Sequence, residues 1–294
     1  MADREELLML TGFGNSAASS RILAVQPDEF GEEEWKPRTF VFGLQGRSLG
    51  LVETLAAPID ECWMSANGAS YCPTNNGQLM CHVNGQWRLR PVCNRNEEFG
   101  AIIGFSGPTP AEDQLIVCGS SSIFVGSVAH GFIEVAMPDG VEEVWRLHGL
   151  KPNEVYVCTD AGVMRWDGRA MRQIDGPDDE IFDVLVLSPT ELIAVGEEAH
   201  RWVDGNGWSH VRSALKDLAQ GMCLFQNQVM LPALDGVGRM EGNEIKRLSK
   251  FSSNQLISCG DTLMAAGADG GLSVFNGTDW VRIKLPRIAP GEAL

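Results

Sequence analysis

Residues 155–171 read VYVCTDAGVMRWDGRAM, and variations on this phrase run through most of the chain. Tyr156 and Cys158 alternate with valines, a polar turn follows at 159–161, and a second short run spans 162–166 before an Asp167-Gly168 turn. LMCHVNGQW (79–87), HRWVDGNGW (200–208) and LSVFNGTDW (272–280) have the same form. Each is a short strand with period-2 alternation, a small turn carrying Asn-Gly or Asp-Gly, and a tryptophan close by. Asn-Gly and Asp-Gly supply the positive φ that a two-residue hairpin turn demands.

Taking the turn glycine as a marker gives Gly46, Gly85, Gly131, Gly168, Gly205, Gly242 and Gly277, spaced by 39, 46, 37, 37, 37 and 35 residues. Internal repetition at this period is the mark of a repeat architecture. Four pieces recur in each repeat. One repeat carries EVWRLHG, EVYVCTD, GVMRWDG and AMRQI, and the last carries LISCGD, TLMAAGAD, GLSVFNG and DWVRIKL. No sustained helical periodicity interrupts them. Four short antiparallel strands repeated about every 38 residues predict an all-β, seven-bladed β-propeller, whose radial blades bury their faces on one another. The expected blades cover 7–55, 60–93, 100–138, 142–174, 181–213, 219–250 and 256–286 of a single domain over residues 1–294. The alternative is a six-bladed ring with an N-terminal extension.

On these repeats the chain resembles the bacterial WD40/BNR-like propellers. A Trp166-Asp167 dipeptide ends a third strand, where WD40 repeats carry theirs, although the preceding Gly-His element is missing. No turn has the S-x-D-x-G-x-x-W spacing of a sialidase-type Asp box, and a kelch-like double glycine occurs only at Gly270-Gly271.

Composition bounds the function. The 294 residues carry a net charge of −16 with a pI near 4.7, a surface that repels nucleic acid and anionic lipid and attracts basic partners. The expectation is therefore no nucleic-acid partner and no membrane contact. The first residues, MADREELLML, do not read as a secretion signal, and no run nears the length of a membrane span, which points to the cytoplasm. The eight cysteines show no CxxC pair and sit in apolar runs, so they are expected to be free buried thiols. A zinc set from Cys72, Cys81 and His82 lacks the paired spacing of structural zinc motifs. No cofactor or metal is expected.

The histidines form no HxH or HExxH pattern, and no GxSxG elbow marks a nucleophile. No catalytic residue is nominated, and the chain is expected not to be an enzyme. A propeller glycosidase or lectin would need acids and arginines on innermost strands. Asp60, Glu61, Asp183 and Asp261 fall near such strands, but arginines there are few. Trp87, Trp166, Trp202, Trp208 and Trp280 recur at equivalent repeat positions, as packing between blades requires.

In a four-stranded blade, the turn between strands two and three shares a side of the ring with the links between blades. Acidic residues concentrate in those segments, including Glu112 and Asp113, whereas many arginines and lysines fall on third and fourth strands. Basic outer edges such as those carrying Arg212, Lys246 and Arg247 discourage edge-to-edge pairing. The candidate partner-binding residues are Glu32, Glu33, Glu34, Trp35, Glu97, Glu98, Glu142, Glu143, Asp178, Asp179 and Glu180. In class and composition the chain resembles propeller-type immunity proteins that neutralise type VI or polymorphic toxins. That resemblance implies a cytoplasmic protein, monomeric on its own, whose acidic face occludes a basic toxin, with a nuclease as the fitting class. A general scaffold propeller is the alternative.

Overall fold

A computed structural model describes residues 8–13, 21–25, 39–45, 48–55, 59, 61–74, 76–177, 180–267 and 271–283. It contains twenty-eight strands and no α-helix among the described residues. The first group is β1 (Leu8–Phe13), β2 (Arg21–Val25), β3 (Thr39–Gln45) and β4 (Ser48–Leu55). The second is β5 (Trp63–Met64), β6 (Ser70–Pro73), β7 (Gln78–Val83) and β8 (Gln86–Pro91). Next come β9 (Phe99–Phe105), β10 (Gln114–Gly119), β11 (Ile123–Ser127) and β12 (Gly131–Val135). They are followed by β13 (Val144–Lys151), β14 (Glu154–Thr159), β15 (Gly162–Trp166) and β16 (Met171–Gln173). Then β17 (Asp183–Ser188), β18 (Glu191–Val195), β19 (Ala199–Val203) and β20 (Gly207–Ser213) precede β21 (Cys223–Phe225), β22 (Gln228–Ala233), β23 (Gly236–Glu241) and β24 (Glu244–Ser249). The last group is β25 (Gln255–Cys259), β26 (Thr262–Ala266), β27 (Leu272–Phe275) and β28 (Trp280–Ile283).

Five of these groups are separate four-stranded antiparallel sheets, and β17 to β24 form one eight-stranded sheet in the order β17-β18-β19-β20-β24-β23-β22-β21. The expectation of seven, or six, equivalent four-stranded blades is corrected accordingly. The joint is a short parallel ladder, Arg212↔Glu244 and Ser213↔Ile245. The Ala214 N–H donates to the Ile245 carbonyl at 3.0 Å, and Asn243 Nδ2 donates to the His210 carbonyl at 3.0 Å. The charges on β20 and β24 thus do not keep these edges apart. Long-range backbone pairing is decided by where the two strand ends converge, which no local pattern records.

The opening stretch shows why the sheets stack. Val155 and Val157 pack toward the third group with Ile116, Ile123 and Met164. Tyr156 and Cys158 point the other way, onto Val184, Val186 and Leu192. A strand buried on both faces reads as a continuous apolar run because period 2 sends alternate residues into two different interfaces. All four of these residues are 0% exposed. The same alternation seats Leu23 and Val41 against Ile59 and Cys72, while Ile22, Phe40 and Phe42 pack on Ile257, Met264, Leu272 and Ile283 of the last group. First and last groups therefore share a core, and the ring closes. Burial of each large apolar side chain contributes about 1.5–3 kcal/mol. The first strand of each group lines the inside of the ring: β13 touches β9 and β17, β5 touches β9, and β25 touches β21 and β1.

Asn84 and Gly85 both have positive φ, 53° and 76°, as a primed hairpin turn requires. The tryptophans pack between groups as their periodicity predicts. Trp166 is buried with its Nε1 donating to the Pro152 carbonyl at 3.0 Å, and Trp280 stacks on Phe275.

The cysteines depart from expectation. Cys62 and Cys72 form a disulfide, so only Cys81, Cys93, Cys118, Cys158, Cys223 and Cys259 are free thiols. The link before β5 returns along β6, a juxtaposition that a ten-residue separation without a motif does not announce. The bond removes one ligand from the Cys72, Cys81, His82 set. Cys81 and His82 are consecutive on β7 and face opposite sides of the sheet. Thiol titration of the denatured, unreduced protein is expected to count the six free thiols, rising to eight after reduction. A count of eight before reduction contradicts the pairing.

Candidate functional site

The links and the turns between second and third strands lie on one side of the ring and are tied to each other by hydrogen bonds. In the third group, Glu97 from the link accepts from Ser122 Oγ in the β10–β11 turn at 2.7 Å. In the fourth, the Asp160 carboxylate of the β14–β15 turn accepts from the N–H groups of Glu142 and Glu143 at 3.0–3.2 Å. These N–H bonds hold the Asp160 carboxyl below its ordinary pKa. Asp235 in the β22–β23 turn accepts from the Lys216 N–H at 2.9 Å and pairs with Arg247. Short acids at second-to-third-strand turns thus clip the links down.

Five of the sequence-predicted contacts can be placed. Glu98, Glu142, Glu143 and Glu180 are exposed on this link side and carry no ion pair among the described residues. Glu97 is committed to structure. Its side chain is 11% exposed and pairs with Arg95 at 2.8 Å, and Arg95 reaches on to Glu134 at 2.8 Å. Glu32, Glu33, Glu34, Trp35, Asp178 and Asp179 lie outside the described residues. Two acids assigned to this side by sequence are not there. Glu112 and Asp113 sit in the β9–β10 connection, on the opposite side, where Asp113 is fully buried and accepts from the Tyr71 hydroxyl at 2.8 Å.

On the opposite side and outer edges, basic residues answer many acids. Glu154 pairs with Lys151 at 2.9 Å and Arg165 at 3.5 Å, Asp167 with Arg172 at 3.4 Å, and Glu191 with Arg201 at 2.6 Å. Glu241 pairs with Arg239 and with Lys246 at 2.7 Å. Asp204, Glu244, Asp261 and Asp279 are in no such pair among the described residues, so neutralisation on this side is partial. The third- and fourth-strand arginines, seen in sequence as an edge pattern, act as counter-ions for this side at Arg165, Arg201 and Arg239, while Arg247 reaches Asp235 on the link side.

Inside the ring the structure assembles a network that sequence reasoning missed. Arg146 on β13 places Nη1 2.9 Å from Glu61 Oε1 and Nε 3.9 Å from Asp183 Oδ1. Asp183 Oδ2 accepts from the Gly221 and Met222 N–H groups at 2.7 and 2.8 Å, and Oδ1 from the Val184 N–H at 2.9 Å. Glu61 Oε2 accepts from the Ile102 N–H at 3.3 Å. Five successive groups are thereby bound around one guanidinium. Burial pushes the Asp183 carboxyl up, against the pull of Arg146 and the three N–H groups. Burial works against the Arg146 charge, but Glu61 and Asp183 outweigh it and hold its pKa above the ordinary value. Glu61 and Asp183 were both noted as near innermost strands. The signal passed over was Arg146 itself, a lone arginine inside the apolar run EVWRLHG. With every charge answered, the set reads as an inter-sheet clamp.

No family model matches the chain, and no curated protein sequence matches it. Solved structures do. Virginiamycin B lyase from Staphylococcus aureus is similar at 11% identity and a TM-score of 0.67, over 92% of this chain and 94% of that one. YCF48 bound to D1 peptide matches at 14% identity and a TM-score of 0.60, over 77% and 81%. The Pan2 WD40 domain of Neurospora crassa matches at 11% identity and a TM-score of 0.62, over 95% and 91%. Likeness at this identity shows the fold, a β-propeller.

Proposed function

We propose that this chain is a non-catalytic protein-binding propeller that holds a basic protein against its link side. The fitting partner class is a secreted nuclease toxin, which the chain neutralises in the cytoplasm as an immunity protein. One observation carries the reading: Glu98, Glu142, Glu143 and Glu180 stand exposed with no counter-ion among the described residues, while acids such as Glu154, Asp167, Glu191 and Glu241 are paired. Carboxylates left open keep their long-range field, which speeds capture of a cationic surface and favours it over neutral ones. A nuclease groove is such a surface because it grips phosphates. The bonds that the Glu142 and Glu143 N–H groups donate to the Asp160 carboxylate hold this backbone in place before a partner arrives, so little freedom is lost on binding. A propeller with a peptide partner is represented among the structural neighbours by YCF48 with D1 peptide.

Immobilised protein is expected to capture a basic protein from lysate of the producing cells at low salt and release it at high salt. Reversing Glu142, Glu143 and Glu180 to lysine, with Asp178 and Asp179, is expected to weaken that capture by about a hundredfold. Equal capture by the reversed and parent proteins would falsify the acidic-side reading.

A further inference from the structure

A cavity of about 220 Å³ opens between the second and third groups, on the side away from the links. Its walls follow from strand alternation. In the β7–β8 ladder Val83 faces Gln86, Cys81 faces Arg88, and Leu79 faces Arg90. Period 2 puts Cys81, Val83, Gln86, Arg88 and Arg90 on the cavity's face, and His82 and Trp87 on the other. The small Cys81 opposite the long Arg88 leaves the volume open. Tyr71, Asn84, Pro110, Ala111 and Val128 complete the lining.

Two features set this cavity apart. No acid lines it, in a chain with 39 acidic and 23 basic residues. Neither arginine meets a carboxylate among the described residues, since Arg88 Nη2 donates to the neutral Gln86 Oε1 at 2.7 Å. The rest of the lining is uncharged. Burial pushes the Cys81 thiol up to about 12, against a smaller pull from Arg90, so the thiol stays protonated at neutral pH. The buried Asp113 carboxylate is bonded to the Tyr71 hydroxyl and to the Gly107 N–H, and does not line the cavity.

We infer that this cavity binds a carboxylate joined to a compact aromatic body, with the ring among Tyr71, Val83, Pro110 and Val128 and the anion at Arg88 and Arg90. An apolar cavity of roughly 150 Å³ holds a benzene ring, so 220 Å³ suits a ring with a short side arm. Guanidinium groups recognise carboxylates through paired, charge-assisted hydrogen bonds. A free aromatic acid and the C-terminal phenylalanine of a peptide share this chemistry. Binding here is independent of the acidic link side, so neither test decides the other.

The full-length protein is titrated with 3-phenylpropionate, its amide, and N-acetyl-Gly-Phe, following the methyl resonances of Val83, Ala111 and Val128 and the heat of binding. The acid is expected to bind with a dissociation constant on the order of 1 mM. The amide and the Arg88→Gln/Arg90→Gln variant are each expected to lose roughly tenfold or more. Ala111→Phe, which fills the cavity while keeping both charges, is expected to abolish binding. Tighter binding of the peptide than of the free acid assigns a chain terminus as the source, and the reverse order a metabolite-sized acid. The inference is overturned if neither acid moves these methyls, if the amide binds as well as the acid, or if binding survives in a correctly melting Ala111→Phe protein.

Discussion

Asp183→Ala is expected to lower the free energy of unfolding by about 3–5 kcal/mol, the cost of removing one partner from a buried ion pair. The carboxylate answers three backbone N–H groups and faces Arg146, and the side chain is 4% exposed. Its removal orphans the Gly221 and Met222 N–H groups at the entry to β21 and takes from Arg146 one of the two carboxylates it faces. Each is a desolvation cost with no compensating contact. Asp183→Asn keeps an acceptor oxygen and the side-chain volume, so it is expected to cost less than the alanine. Equilibrium denaturation of both variants checks this. A loss under about 1 kcal/mol in the alanine variant would show that the network does not clamp the ring.

The second large effect is in pH. Burial, with a further push from the Arg146 charge, lowers the His148 pKa to about 4. The ring accepts at Nδ1 from the Val186 N–H at 3.1 Å, which requires the neutral imidazole. In the unfolded chain the same histidine titrates near 6.5. The folded value is the depressed one, so the unfolded chain binds the extra proton between about pH 6.5 and 4. Stability attributable to His148 is therefore complete above about pH 6.5 and is lost as pH falls toward 4. Allowing for the ring's partial exposure, the loss is about 2–3 kcal/mol. His148→Gln, which has no titrating group, is expected to flatten that part of the stability–pH curve. An unchanged slope in the glutamine variant would place the proton uptake elsewhere.

The candidate site was legible in part. The link-side placement of Glu98, Glu142, Glu143 and Glu180 can be read from the sequence because links and second-to-third-strand turns are recognisable once the four-strand repeat is known. Glu112 and Asp113 fall on the other side because the β9–β10 connection, from Phe105 to Gln114, is long enough to read as a link between blades. The neutralisation of Glu154, Glu191 and Glu241 needed side-chain geometry. The partners are close in the fold through β14–β15, β18–β19 and β23–β24 pairing.

Sequence alone determined what is local. Alternation sets which residues of a strand enter which interface, Asn84-Gly85 sets a two-residue hairpin, the other Asn-Gly and Asp-Gly pairs mark slightly longer turns, and near-equal spacing of the turns makes the units stack into a propeller. Tertiary structure decided everything that joins residues from different units: the β20–β24 ladder, the Cys62–Cys72 bond, the Arg146 clamp and the acid-free cavity. Those contacts depend on distances between strands that are remote in the chain. A repeat pattern repeats the strands and is silent about the single side chains that differ from one unit to the next.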